Sequence, residues 1–99
     1  MTVNICGIPH KEIYCKDSFD IDTHLGMICY KENEIRINED MSENQKKETL
    51  CHEMVHGILI HLGFDDLSNN EQLVQALGNA IYQGFEVKEL NNENTNRPR

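Results

Sequence analysis

The sequence predicts an α+β domain: a small, mainly antiparallel sheet of three or four short strands packed on one long helix, followed by a second helix. Three observations predict it. Short apolar runs broken by turn residues fill the first forty positions, an apolar stripe at three- and four-residue steps runs through residues 50–62, and another runs through residues 73–81. A chain of 99 residues has room for one modest core, assigned to residues 1–89, with residues 90–99 a polar, disordered tail.

The elements follow in order. Val3-Asn4-Ile5 alternates as a strand does, Gly7 and Pro9 punctuate, and Glu12-Ile13-Tyr14-Cys15 is a second short run. Lys16 to His24 is polar and rich in aspartate, a loop. Gly26 to Tyr30 and Glu34 to Asn38 flank a connection of hairpin length, and Ile35 and Ile37 share one face of their strand, the mark of one buried side. Ser42 and Gln45 have the spacing of a capping box. Behind them Leu50, Cys51, Met54, Val55, Ile58, Leu59 and Leu62 form one stripe, closed by Gly63. Ser68 or Asn70 can cap the second helix, whose apolar side includes Leu73, Val74, Leu77, Ala80 and Ile81 and which closes near Gly84. Phe85 and Val87 are expected to pack back on the core.

Charge and cysteine use narrow the function classes. Seventeen acidic against nine basic side chains give a net charge of −8, which opposes a phosphate backbone that needs Lys and Arg for counterion release, so no nucleic-acid partner is expected. No basic leader with an apolar segment opens the chain, and no stretch approaches the ~20 apolar residues that span a bilayer. The expectation is a cytoplasmic protein without a membrane partner. Cys6, Cys15, Cys29 and Cys51 form no C-x-x-C pair and read as reduced thiols, Cys51 as a small buried side chain rather than a ligand.

The chemistry is concentrated in His52-Glu53-Met54-Val55-His56, an H-E-x-x-H lying inside the long helix. Residues four apart on a helix face the same way, so His52 and His56 can offer two ring nitrogens to one tetrahedral zinc ion. Glu53 projects about 100° away from His52, where it can reach a water on the metal and act as general base. With five His and eleven Glu in the chain, chance supplies roughly 0.03 such motifs. The competing bland reading is a solvated helix face.

A catalytic zinc wants a third protein ligand. His61 is nine positions beyond His52 and points about 180° away on a continuous helix. Leu59 and Leu62 stand where the long metzincin pattern would need Gly and His. Asp65 and Asp66, in the turn, stay open. Glu71 is better placed, because an antiparallel second helix brings its start near the His56 end of the first. Against it, Ser68-x-x-Glu71 is itself a capping box that needs no metal. Gln75, one turn beyond Glu71, can hydrogen-bond a ligand's free ring nitrogen or simply face solvent. His10 and His24 read as surface or loop histidines.

Residues 49–59, then Leu62-Gly63-Phe64, then residues 70–77 resemble the very small zinc-peptidase-like proteins of phages and mobile elements related to the ImmA/IrrE metallopeptidases. Ile5 to Pro9 and the Glu34 to Ile37 strand fit the same pattern, so the resemblance covers most of residues 2–87. It implies a minimal gluzincin, a zincin fold whose second helix supplies a glutamate ligand, which falls on Glu71. The set is then His52, His56 and Glu71 on Zn²⁺ with Glu53 catalytic. Tyr14, Tyr30 and Tyr82 are candidates for stabilising the oxyanion.

The expected activity is hydrolysis of a peptide bond in a protein or peptide substrate by zinc-activated water, the peptide adding as a strand along Glu34 to Asn38. The rival is a non-catalytic module, stabilised by zinc or acting as an acidic decoy or inhibitor through its −8 charge.

Overall fold

The computed structural model describes residues 1–16 and 25–90, so most of the expected Lys16–His24 loop, His24 itself and the 91–99 tail lie outside the described residues. The elements are β1 (Thr2–Ile5), β2 (Ile8–Cys15), β3 (Gly26–Cys29), β4 (Glu34–Asn38), α1 (Glu43–His61), α2 (Asp65–Ser68), α3 (Glu71–Gly84) and β5 (Glu89–Leu90). The strands form one mixed sheet in the order β3-β4-β2-β1-β5. β2 and β4 run parallel, and the other pairings are antiparallel. The α+β class and the mainly antiparallel sheet are as the sequence predicts, with two-residue β5 an addition at one edge.

Local chemistry explains the first hairpin. Cys6 and Gly7 both have positive φ, 52° and 83°, as the tight two-residue turn between β1 and β2 requires. Pro9, expected to punctuate, instead lies inside β2 opposite Asn4. The amide of Lys11 donates to Asn33 O on the β4 side. Pro9 has the same parity, so its missing N–H faces a stretch that β4, which starts opposite Lys11, does not reach.

One face of the sheet carries the core. Val3, Ile5, Ile35 and Ile37 are fully buried together with Leu50 of α1, and Ile28, Met41, Met54, Ile58 and Val87 pack around them. Each such side chain contributes about 1.5–3 kcal/mol by leaving water. α1 lies close on the sheet at Gly57, where a Cβ would stand 2.8 Å from Ile28 Cδ1 and 3.0 Å from Ile5 Cδ1. The Ser42–Gln45 capping box forms in both directions and starts this helix. Val87 packs on the core as expected, but Phe85 is exposed, and so are Leu62 and Leu77 from the predicted stripes.

His10 corrects the reading of a surface histidine. It sits on the α1-facing side of β2 with no exposed surface, its Nδ1 2.8 Å from Ile8 O. Its ring packs edge-on against His61, which in turn meets Tyr30. No helix among the described residues is long and apolar enough to cross a membrane.

Candidate metal centre

The site is built where α1 and α3 cross. At Gly78 a Cβ would stand 3.1 Å from His52 Cα and 3.2 Å from His52 N, so only glycine lets the two helices approach this closely. Gln75 and Glu71 lie on the same face of α3, one and two turns before Gly78, which carries Gln75 to His52 and Glu71 to the gap between His52 and His56. Asn70 caps α3, its side chain accepting from Leu73 N. The alternative Ser68–Glu71 capping box therefore does not form, and the Glu71 carboxylate is left for the histidines.

Glu71 Oε2 lies 3.1 Å from His52 Nε2, and Oε1 lies 3.0 Å from His56 Nε2. The other ring nitrogens are held as well: His52 Nδ1 is 2.8 Å from Gln75 Oε1, and His56 Nδ1 is 3.1 Å from Ser68 Oγ. An imidazole that donates through Nδ1 presents only a lone pair at Nε2. Two lone pairs then face a carboxylate, an arrangement that requires positive charge between them, either ring protons or a metal ion. Ligand atoms of His52, His56 and Glu71 all lie within 4.8 Å of one another, so these residues can hold a metal. The donor set, two imidazoles and a carboxylate, suits zinc.

Glu53 points from the buried side of α1 into the same space. It is 7% exposed, and its carboxyl is pushed up to about 7, by burial first and by the neighbouring Glu71 charge second. Gly26 of β3 lies beside it and makes room for Thr49, one turn before Glu53 on α1, since a Cβ there would stand 2.6 Å from Thr49 Cγ2 and 3.1 Å from Arg36 O. Tyr30 borders the site, its hydroxyl hydrogen-bonded to Ser68 and its pKa raised, by burial first and then by Glu53 and Asp65, against that bond. Tyr14 bonds Glu12 instead, and Tyr82 lines a groove formed by the start of α1 and the end of α3. Cys51 is buried beside the site, its thiol pushed up by burial, and is not among the convergent ligand atoms.

A cleft of about 770 Å³ opens over these groups, bounded by Leu25, Gly26 and Ile28 on one side and by Ile60, Ser68 and Asn69 on another. Its strand wall is β3, the sheet edge; β4 is covered by β3 and β2. The expected docking of a peptide along Glu34 to Asn38 is therefore ruled out. Asn38 N donates to Leu25 O, so by alternation the backbone groups of Gly26 and Ile28 face away from β4, toward the side on which no strand pairs with β3 among the described residues.

The structure thus brings together His52, Glu53, His56, Glu71 and Gln75, and it does not bring in Asp65, Asp66, His10 or His61. Ser68 was missed as a ring partner because its spacing to Glu71 imitates a cap; the Asn70 immediately before Glu71 was the signal against that. Residues 12–82 match the family described as Peptidase_M78, IrrE N-terminal-like domain. No curated protein and no solved structure matches the chain.

Proposed function

The chain belongs to the Peptidase_M78 family, the ImmA/IrrE metallopeptidases, and on that premise we propose that it is a zinc-dependent peptidase with His52, His56 and Glu71 as ligands and Glu53 as general base and acid. The observation that carries the reading is the convergence of His52 Nε2 and His56 Nε2 on the two oxygens of the Glu71 carboxylate, with both Nδ1 atoms held by Gln75 and Ser68. Zinc held there lowers the pKa of a bound water and polarises a carbonyl.

The chain's own residues supply the rest. An extended peptide pairs with the outward backbone groups of Gly26 and Ile28, which lays its carbonyl along the cleft. Glu53 takes a proton from the attacking water and delivers it to the amine as the C–N bond breaks; its burial favours the protonated form that makes the delivery, and the nearby cation the carboxylate that takes the proton. Tyr30, on the cleft wall, donates to the oxygen on which negative charge develops. The reading places the protein in the cytoplasm, in keeping with its free cysteines.

The test is the metal content of protein purified without added zinc, beside Glu53→Gln and Glu71→Ala. About one zinc per chain in the wild type and in Glu53→Gln, with strong loss in Glu71→Ala, supports the site. Turnover on a peptide library should then fall by about 10²–10⁴ in Glu53→Gln. A wild type that takes up no zinc even when it is offered overturns the reading and leaves the acidic binding module.

A further inference from the structure

We infer that Gln75 and Ser68 are positioning residues of the metal centre: neutral acceptors, on two different helices, that take the Nδ1 protons of His52 and His56 and so aim both Nε2 lone pairs at the ion. The inference rests on the metal-binding reading above and goes beyond its ligand set.

Which nitrogen of a neutral imidazole carries the proton is set by the partner of the other. At His52 the partner is Gln75 Oε1, 2.8 Å from Nδ1. The amide is turned that way because its Nε2 donates to Asn79 Oδ1 at 2.9 Å, one turn further along α3. Asn79 thus acts through Gln75. At His56 the partner is Ser68 Oγ, 3.1 Å from Nδ1. The single Ser68 proton has acceptors in the backbone oxygen of His56, at 3.4 Å, and in the Tyr30 hydroxyl, which leaves a lone pair for the ring. Ser68 is 3% exposed, and four-residue α2 presents it to the site from between the two long helices. Neither partner carries charge. A carboxylate in either place would push more electron density onto the ring and bind the ion more tightly, at the cost of its Lewis acidity.

Two consequences separate this from a general packing role. The partners serve different rings from different elements, so their effects on affinity should add. The sign should also reverse with charge: Gln75→Ala is expected to weaken zinc binding by about 10- to 100-fold, whereas Gln75→Glu, which keeps the acceptor and charges it, should tighten binding.

The experiment measures zinc affinity of the full chain by competition with a chromophoric chelator for wild type, Gln75→Ala, Gln75→Glu, Ser68→Ala and Ser68→Thr. Nitrogen-resolved NMR of the zinc-loaded proteins then follows the ring N–H protons. The expected result is two Nδ1–H signals protected from exchange in the wild type, loss of the His52 signal in Gln75→Ala and of the His56 signal in Ser68→Ala, and retention in Ser68→Thr. Tighter binding in Gln75→Glu cannot come from misfolding. Wild-type affinity in Gln75→Ala, or ring protons that exchange as fast in the wild type as in the variants, overturns the inference while leaving the ligand set intact. A wild type that binds no zinc overturns both.

Discussion

Helix α1 has two working faces, and they are held by different physics. Toward the sheet, Leu50 joins Val3, Ile5, Ile35 and Ile37 in an apolar core, with His10 and Glu12 of β2 buried on the same side of the sheet. Toward α3, the contact is made by His52 and His56 against Glu71 and Gln75, with bare backbone at Gly78 and with Cys51, Val55 and Val74 buried outside the main core. The apolar cluster on the first face is complete as it stands, since hydrophobic burial is non-directional and needs no further partner. The second brings two ring nitrogens onto one carboxylate and is completed by positive charge, from ring protons or a metal ion. Stability should therefore be concentrated in the apolar cluster on the sheet side, sensitivity to metal on the α3 side, and sensitivity to pH at the cleft between them, where Glu53 lies beside β3.

The largest effect should come from breaking the sheet side. Ile37→Ala removes a fully buried side chain from the core, and the expected loss is about 2–5 kcal/mol by denaturant titration. Zinc should not selectively restore it; a variant that zinc returns to wild-type stability would show that the two faces share one core.

The next effect belongs to Glu53, which lies beside β3 at the cleft between the two faces, and depends on pH. In the metal-free protein the Glu53 carboxyl is raised from its ordinary 4.5 to about 7. Between those values the folded chain holds a proton that the unfolded chain has lost, so the contribution is full at low pH and disappears as pH rises through 7. Stability from this group should fall between pH 5 and 8 by at most about 3 kcal/mol. Glu53→Gln should flatten that slope, and zinc should flatten it too, because a nearby cation favours the carboxylate. Denaturant midpoints across that range, with and without zinc, check this; an unchanged slope in Glu53→Gln would assign the pH dependence elsewhere.

The two faces also differed in how far the sequence disclosed them. The capping box at Ser42, the Ile35/Ile37 alternation and the spacing of His52 and His56 are local patterns, and each is realised. The choice of Glu71 needed only the return of one helix across a short connection. What stayed hidden depends on distant partners. The parallel β2–β4 pairing makes β3 the edge strand and covers Glu34–Asn38, and no local signal specifies a pairing across an intervening strand. His10 is buried because β2 begins at Ile8, ahead of the run that the alternation marked. Ser68 was ambiguous for an energetic reason: a hydroxyl three residues before a glutamate satisfies a helix terminus as well as it satisfies an imidazole, and only the Asn70 cap decides between them.

That decision can be tested by comparing the two helix caps, and the effect is the smallest of the three. Ser42 accepts from Gln45 N at 3.2 Å at the start of α1, remote from the metal centre, and Asn70 accepts from Leu73 N at 3.1 Å at the start of α3. Replacing either by alanine should cost about 1 kcal/mol, since each leaves one helix-terminal amide without its acceptor. Their consequences for metal should differ. Asn70 fixes Glu71 as the first residue of α3, so its loss lets the first turn fray and frees Ser68 to compete for the terminus, drawing it from His56. Asn70→Ala should weaken zinc binding by a few-fold while Ser42→Ala leaves it unchanged, as measured by chelator competition on proteins of matched stability. Equal zinc affinity in the two variants would mean that the ion itself holds the start of α3, making the cap a consequence of the metal centre rather than one of its supports.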